Sequence, residues 1–145
     1  MKRALFAGTF NPFTIGHADI VRRGLEIFDE VVIAIGENQD KPSVDLDERV
    51  EAIRAIYKDD ARVRVSVYHS LTVDFAREID ACALLRGVRS MTDFEYERQL
   101  ADANRALSGI ETVALFTRPE LAHISSSLVR DLKKHGADVF AFVAH

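Results

Sequence analysis

An α/β fold, with a mainly parallel five-stranded sheet and helices on both faces, is what this sequence predicts. Short apolar runs alternate with longer stretches of helical period, and glycine-bearing polar turns fall where the runs give way to helices. With 145 residues and 48% hydrophobic content, the chain suits one domain over residues 1–145 with a core of its own.

Strands are predicted at Arg3 to Ala7, Glu30 to Ile35, Val63 to Tyr68, Cys82 to Arg86 and Thr112 to Phe116. Between the first two, Ile20, Val21, Gly24, Leu25 and Phe28 make an apolar stripe on a helix that opens near His17. Asp45, with Glu48 three residues later, reads as a capping box for a second helix, on which Leu46, Val50, Ile53 and Tyr57 share a face. Further helices are expected at Thr72 to Ile79, Asp93 to Leu107 and Ser127 to His135. The lone Cys82, in the run Ala81-Cys82-Ala83-Leu84-Leu85, reads as a small core residue. It excludes an internal disulfide and a thiolate metal cluster.

The net charge of -4 excludes nucleic acid and anionic membrane as general partners, so an anionic ligand must be held by a local basic cluster. The apolar run after Met1-Lys2-Arg3 is too short for a signal peptide, and no later segment could span a bilayer. A cytoplasmic protein is expected.

Three clusters carry the chemistry. The first strand runs into Gly8-Thr9-Phe10-Asn11-Pro12-Phe13-Thr14-Ile15-Gly16-His17, at the strand-to-helix turn where open α/β sheets bind ligands. Neither the glycine fingerprint of nicotinamide-dependent enzymes nor the phosphate loop ending in Gly-Lys-Ser/Thr occurs. In their place Thr14-x-Gly16-His17 sets an imidazole at the first turn of a helix, where it can donate to a phosphoryl oxygen. An isolated histidine would be read as a surface or capping residue; the surrounding glycines, threonines and proline reverse the odds. Thr9 would point its hydroxyl and N–H into the same crevice.

The second cluster, Arg86-Gly87-Val88-Arg89, ends the fourth strand, with Gly87 letting the chain turn and the arginines suited to bidentate phosphate contacts. Arg86 continues a buried strand with no acid nearby in sequence, and Glu97 and Asn104 interrupt the apolar stripe of the following helix, as ligand-facing residues would, with a solvated helix edge as the competing account. The third cluster is Ile124-Ser125-Ser126-Ser127-Leu128-Val129-Arg130. One serine serves as an N-cap, and the run offers hydroxyls, helix N–H groups and a cation to a polyphosphate.

Together these clusters resemble the nucleotidyltransferase superfamily of the Thr/His-x-Gly-His type, over essentially the whole chain. The string Arg86-Gly87-Val88-Arg89-Ser90-Met91-Thr92-Asp93-Phe94-Glu95-Tyr96-Glu97, leading to Asn104, is similar to the phosphopantetheine adenylyltransferases in particular. The resemblance implies a Rossmann-like three-layer fold and transfer of AMP from ATP to 4'-phosphopantetheine. In that reading Thr9, Phe10, His17, Gly87, Val88, Arg89, Glu97, Leu121, Ala122, His123, Ile124, Ser125, Ser126, Ser127 and Arg130 bind ATP, and His17 stabilises the transition state. Thr9, Lys41, Thr72, Arg86 and Asn104 bind the acceptor. Mg2+ arrives with ATP, coenzyme A is a feedback inhibitor and the assembly is a homohexamer. The chain departs from the family pattern in Asn11, where an Asp is usual, and in Leu121 and His123, where aromatic residues are common. The loop at Lys41 is one residue short, and a terminal helix that many members carry is absent after His145.

The expected chemistry is in-line displacement, with His17, Lys41, Arg86, Arg89 and Arg130 as cations that offset repulsion between two polyanions. Two alternatives stand beside it. One is a related enzyme acting on nicotinamide mononucleotide or glycerol phosphate, which Asn11 supports. The other is a non-catalytic nucleotide-binding module.

Overall fold

The structure, a computed structural model, describes residues 1–38 and 40–145. Strands β1 (Arg3–Gly8), β2 (Glu30–Gly36), β3 (Val63–Tyr68), β4 (Ala83–Val88) and β5 (Glu111–Phe116) form one sheet in the order β3-β2-β1-β4-β5. Every neighbouring pair is parallel. Helices α1 (Ile15–Gly24), α2 (Leu46–Ile56), α3 (Thr72–Glu78), α4 (Met91–Ser108) and α5 (Ser126–Lys134) alternate with or follow the strands, with single 3-10 turns at Pro119–Leu121 and Phe140–Phe142.

Successive strand side chains point to opposite faces, and both faces are apolar because both are covered. Ala4, Phe6, Ile33, Ile35 and Leu85 pack with Ile20 and Val21 of α1 and Val50 and Ile53 of α2. On the other face Leu5, Ala7, Val32, Ala34 and Leu84 pack with Val73, Phe75 and Ala76 of α3. Helix, sheet and helix therefore make three layers, as expected. Leu5, Ile33, Ile35, Ile53 and Leu85 are essentially fully buried, each burial contributing roughly 1.5–3 kcal/mol of transfer free energy.

Three local expectations need correction. Asp45 forms no capping box: its backbone is not extended as an N-cap requires, and its carboxylate instead faces Arg49 at 3.4 Å. Cys82 is exposed, because β4 begins one residue later and leaves it at the strand entry, where its N–H donates to the Arg3 carbonyl. Gly87 does not turn the chain. β4 continues through it to Val88, and a Cβ at position 87 would come within 3.1 Å of Ile20. Close approach of α1 to the strand is what requires a glycine here.

Strand order reverses between β1 and β4, and the ladder changes there. β1 follows β2 from Arg3↔Glu30 to Gly8↔Ile35, and β4 follows β5 from Ala83↔Glu111 to Val88↔Phe116. β1 and β4, by contrast, pair at Ala4↔Ala83 and Leu5↔Leu84 and then part. The sheet thus opens toward the carboxyl ends of these two strands, which is where ligands bind in such folds.

Candidate active site

Arg86 sits in that opening. Its Nη1 donates to the Ala7 carbonyl at 2.6 Å, taking up an acceptor that the parted ladder leaves without a β4 partner. Its Nε and Nη2 form a fork to Glu97 at 2.8 and 2.7 Å. Burial works against the Arg86 charge, but the hydrogen bonds and charge of Glu97 outweigh it and hold the guanidinium above its ordinary range. The acid absent from the sequence neighbourhood of Arg86 is therefore supplied by α4. Glu97, 9% exposed, is the buried residue of that helix.

This ion pair is a wall between two clefts. One, of about 450 Å³, is lined by Gly8, Thr9, Phe10, Gly16, His17, Gly87, Arg89, Ile124, Ser125, Ser126, Ser127 and Arg130, besides Arg86 and Glu97. The other, of about 350 Å³, is lined by Thr9, Tyr68, Thr72, Asn104, Arg86 and Glu97, together with Leu5, Leu71, Val73, Leu100 and Leu107. The structure thus gathers most of the predicted site residues around two adjoining cavities.

His17 is set by its own helix end. Thr14, 1% exposed, is the N-cap of α1; its hydroxyl accepts from the His17 N–H at 3.3 Å. In return the Thr14 N–H donates to His17 Nδ1 at 2.9 Å, so an imidazole fills the place that Glu or Gln takes in the usual capping box. Because Nδ1 accepts, the proton of the neutral ring is on Nε2. The rings of Phe10, at 5.0 Å edge-on, and Phe13, at 5.4 Å stacked, fix the plane. Burial first, then the charges of Arg86 and Arg89, push the His17 pKa down to about 4. At neutral pH His17 is therefore an uncharged N–H donor, which corrects its place among the expected cations.

The remaining cations come from strand and helix ends. Arg89 follows β4 and faces Asp93 at 3.4 Å, in the first turn of α4, whose N-cap is Ser90. Arg130 lies in α5, donating to the Asn11 carbonyl at 2.7 Å and to Ser127 Oγ at 3.3 Å. Ser125 caps α5 through the Leu128 N–H, and Ser126 Oγ donates to the Pro12 carbonyl at 2.8 Å. The triple serine is thus divided among a cap, a tie to the first loop and an arginine partner.

Other predicted site residues lie outside the clefts. Lys41 is exposed and lines neither cleft. The Val88 side chain is buried as the last residue of β4, with its carbonyl accepting from the Thr117 N–H. Leu121, Ala122 and His123 flank the first cleft without lining it; the Ala122 carbonyl faces Arg89 and the His123 ring meets Phe142 edge-on. Asp93, Tyr96 and Thr117 of the first cleft, and Tyr68, Leu100 and Leu107 of the second, were missed. Ser90-x-x-Asp93 is a readable helix start; nothing local marks the others, whose roles come from strands and helices meeting. Among the described residues no cluster of His, Cys, Asp or Glu is arranged to hold a metal ion, and no helix is long and apolar enough to cross a membrane.

The cytidylyltransferase-like family matches residues 5–132. A phosphopantetheine adenylyltransferase of Bacteroides fragilis is 51% identical over 99% of this chain and 96% of its own. One of Porphyromonas gingivalis is 54% identical over 97% of this chain and 92% of its own. A bifunctional NMN adenylyltransferase/ADP ribose pyrophosphatase of Francisella tularensis, solved with AMP and a manganese ion, superposes with a TM-score of 0.71 at 13% identity, over 99% of this chain and 44% of that one. That likeness is one of fold. With relatives this similar over nearly its whole length, the chain belongs to the phosphopantetheine adenylyltransferase family of nucleotidyltransferases.

Proposed function

We propose that this protein transfers the adenylyl group of ATP to the phosphate of 4'-phosphopantetheine, releasing pyrophosphate and forming dephospho-coenzyme A. The observation that carries the reading is the pair of unlike clefts sharing the Arg86–Glu97 wall at the opening between β1 and β4. Each substrate has a cavity of its own, and the two meet at one guanidinium.

ATP takes the first cleft, with its phosphates toward Arg89, Arg130 and the start of α5, where hydroxyls, helix N–H groups and cations favour a polyanion. The acceptor takes the second, its phosphate at Arg86 and its weakly polar arm along Leu71, Val73, Leu100 and Leu107, with Thr72 and Asn104 for its amides. An acceptor phosphate oxygen attacks the α-phosphorus as the bond to the β-phosphate bridging oxygen breaks, and the electron pair leaves on pyrophosphate. A phosphate monoester is already ionised at neutral pH, so no base is required, and positioning with charge stabilisation supplies the catalysis. His17 Nε2–H donates to the α-phosphoryl oxygen as charge builds there. Being neutral, it needs no proton from solvent and loses none in the step.

A divalent cation such as Mg2+, bound to the triphosphate, would supply positive charge that offsets the charge of its oxygens. The protein groups around the first cleft are mainly phosphate donors, and the Asp93 carboxylate is engaged by Arg89, so these residues would hold such a cation through the nucleotide they bind. The family resemblance adds a homohexamer, feedback inhibition by coenzyme A and a cytoplasmic location. Exposed Met91 and Phe94 on α4, which line neither cleft, supply apolar surface for assembly, which sedimentation reads directly.

Pyrophosphate release tests the proposal, with ATP or CTP offered against phosphopantetheine, nicotinamide mononucleotide and glycerol phosphate. Release with ATP and phosphopantetheine alone is expected. Release with another pairing would give the chain to a related reaction, and release with none would leave a binding module.

A further inference from the structure

Arg49 has no part in the chemistry described above, yet its side chain is only 11% exposed and it reaches from α2 to the loop after β1. Its Nη1 donates to the Thr9 carbonyl at 2.6 Å, and its Nε faces Asp45 at 3.4 Å without forming a hydrogen bond. The residue after that carbonyl, Phe10, is 4% exposed and has φ +47, a left-handed conformation that a phenylalanine adopts only when its surroundings impose it.

A trans peptide is planar, so the Thr9 carbonyl and the Phe10 N–H point in opposite directions. Arg49 lines neither cleft, whereas Phe10 lines the first cleft and not the second. With the carbonyl held toward α2, the N–H is turned the other way, toward the cleft beside His17. Among the described residues that N–H makes no hydrogen bond. An N–H without a protein partner, on a residue only 4% exposed, calls for an acceptor.

We propose that Arg49 is a positioning residue that fixes the Thr9–Phe10 peptide so that the Phe10 N–H meets a phosphoryl oxygen of the bound nucleoside triphosphate. The assignment rests on nucleotide occupying the first cleft. Arg49 touches no substrate; it acts through the orientation of one peptide group and through the backbone at Phe10, which without the guanidinium relaxes away from its left-handed conformation. The expected result of losing it falls mainly on one substrate, because the turned N–H faces one cleft, although Thr9 itself lines both.

The test compares Arg49→Met, which keeps the stem and removes the donors, with Arg49→Lys, which keeps a charged donor. ATP binding by calorimetry, KM for ATP, KM for the acceptor and melting temperature are measured on each. Arg49→Met is expected to weaken ATP binding and raise its KM by roughly tenfold or more, the scale of a charge-assisted hydrogen bond. The KM for the acceptor stays within about twofold in the same protein, since uniform loss would signal general damage. Arg49→Lys recovers most of the ATP affinity.

Equal ATP affinity in wild type and Arg49→Met overturns the inference. So does loss of both substrates in parallel with stability, or a lysine variant as impaired as the methionine one. If the wild-type chain itself bound no nucleoside triphosphate, the functional proposal would fall and this one with it. Failure of the inference alone shows as a wild type that binds ATP and a methionine variant that binds it as well.

Discussion

Around the cleft beneath α5 stand two arginines besides the shared one, three serines and an uncharged imidazole, whereas the cleft between α3 and α4 is walled by leucines and Val73 with a few polar groups. The two are separated by one ion pair. On the proposed function, the contrast teaches how a small domain would sort two anionic substrates: charge density would draw the polyphosphate to one side, and apolar area would hold the long arm of the other. Arg86, common to both, is where the charges must meet.

The largest expected effect removes the donor proposed to act on the reacting phosphoryl group. His17→Ala should lower kcat by about two or more orders of magnitude with little change in ATP binding, in line with loss of an oxyanion donor. Wild-type turnover in that variant would take His17 out of the reaction. The imidazole also leaves a mark on stability. The fold lowers its pKa from 6.5 to about 4, so as pH falls through 6.5 the unfolded chain takes up a proton that the folded chain refuses. Its contribution is whole above pH 6.5 and declines down to about pH 4; in His17→Gln that part of the acid slope in melting temperature should vanish.

Breaking the shared wall should harm both sides. Glu97→Ala leaves a largely buried guanidinium unpaired and should cost about 3 kcal/mol or more of stability, with both KM values rising; denaturant titration and steady-state kinetics read these. A double change, Arg86→Met with Glu97→Leu, should regain most of the stability and none of the activity. Stability restored together with activity would mean that the pair is structural alone.

Finer changes should separate the clefts. Arg130→Ala is expected to weaken ATP binding about tenfold and leave the acceptor untouched, as loss of a charged contact would. Smallest of all, Tyr68→Phe removes the hydroxyl that meets Thr72 Oγ1 at 2.9 Å and should raise the acceptor KM a few fold, roughly the scale of one neutral hydrogen bond. A change in ATP KM instead would place the two ligands the other way round.

Much of this architecture was legible from residues alone. Strand and helix periodicity located β1 to β5 and α1 to α5, with errors at their ends, because burial on two faces writes itself as continuous apolar runs and as 3.6-residue stripes. The loop Gly8 to His17, the arginines at the end of β4 and the serines at the start of α5 were recognisable for a related reason. Each sits at a strand or helix end, where the backbone leaves polar groups unpaired and local residue types must answer.

What only the tertiary structure decided depends on groups brought from far along the chain. Sequence placed Arg86 beside no acid, yet α4 delivers Glu97. It counted His17 as a cation, whereas burial and two neighbouring guanidinium groups keep the ring neutral. Periodicity and motif spacing are properties of contiguous residues and survive in one dimension. Protonation state, ion-pair partners and the wall between two cavities are sums over atoms distant in sequence, and they exist only once the chain has closed around them.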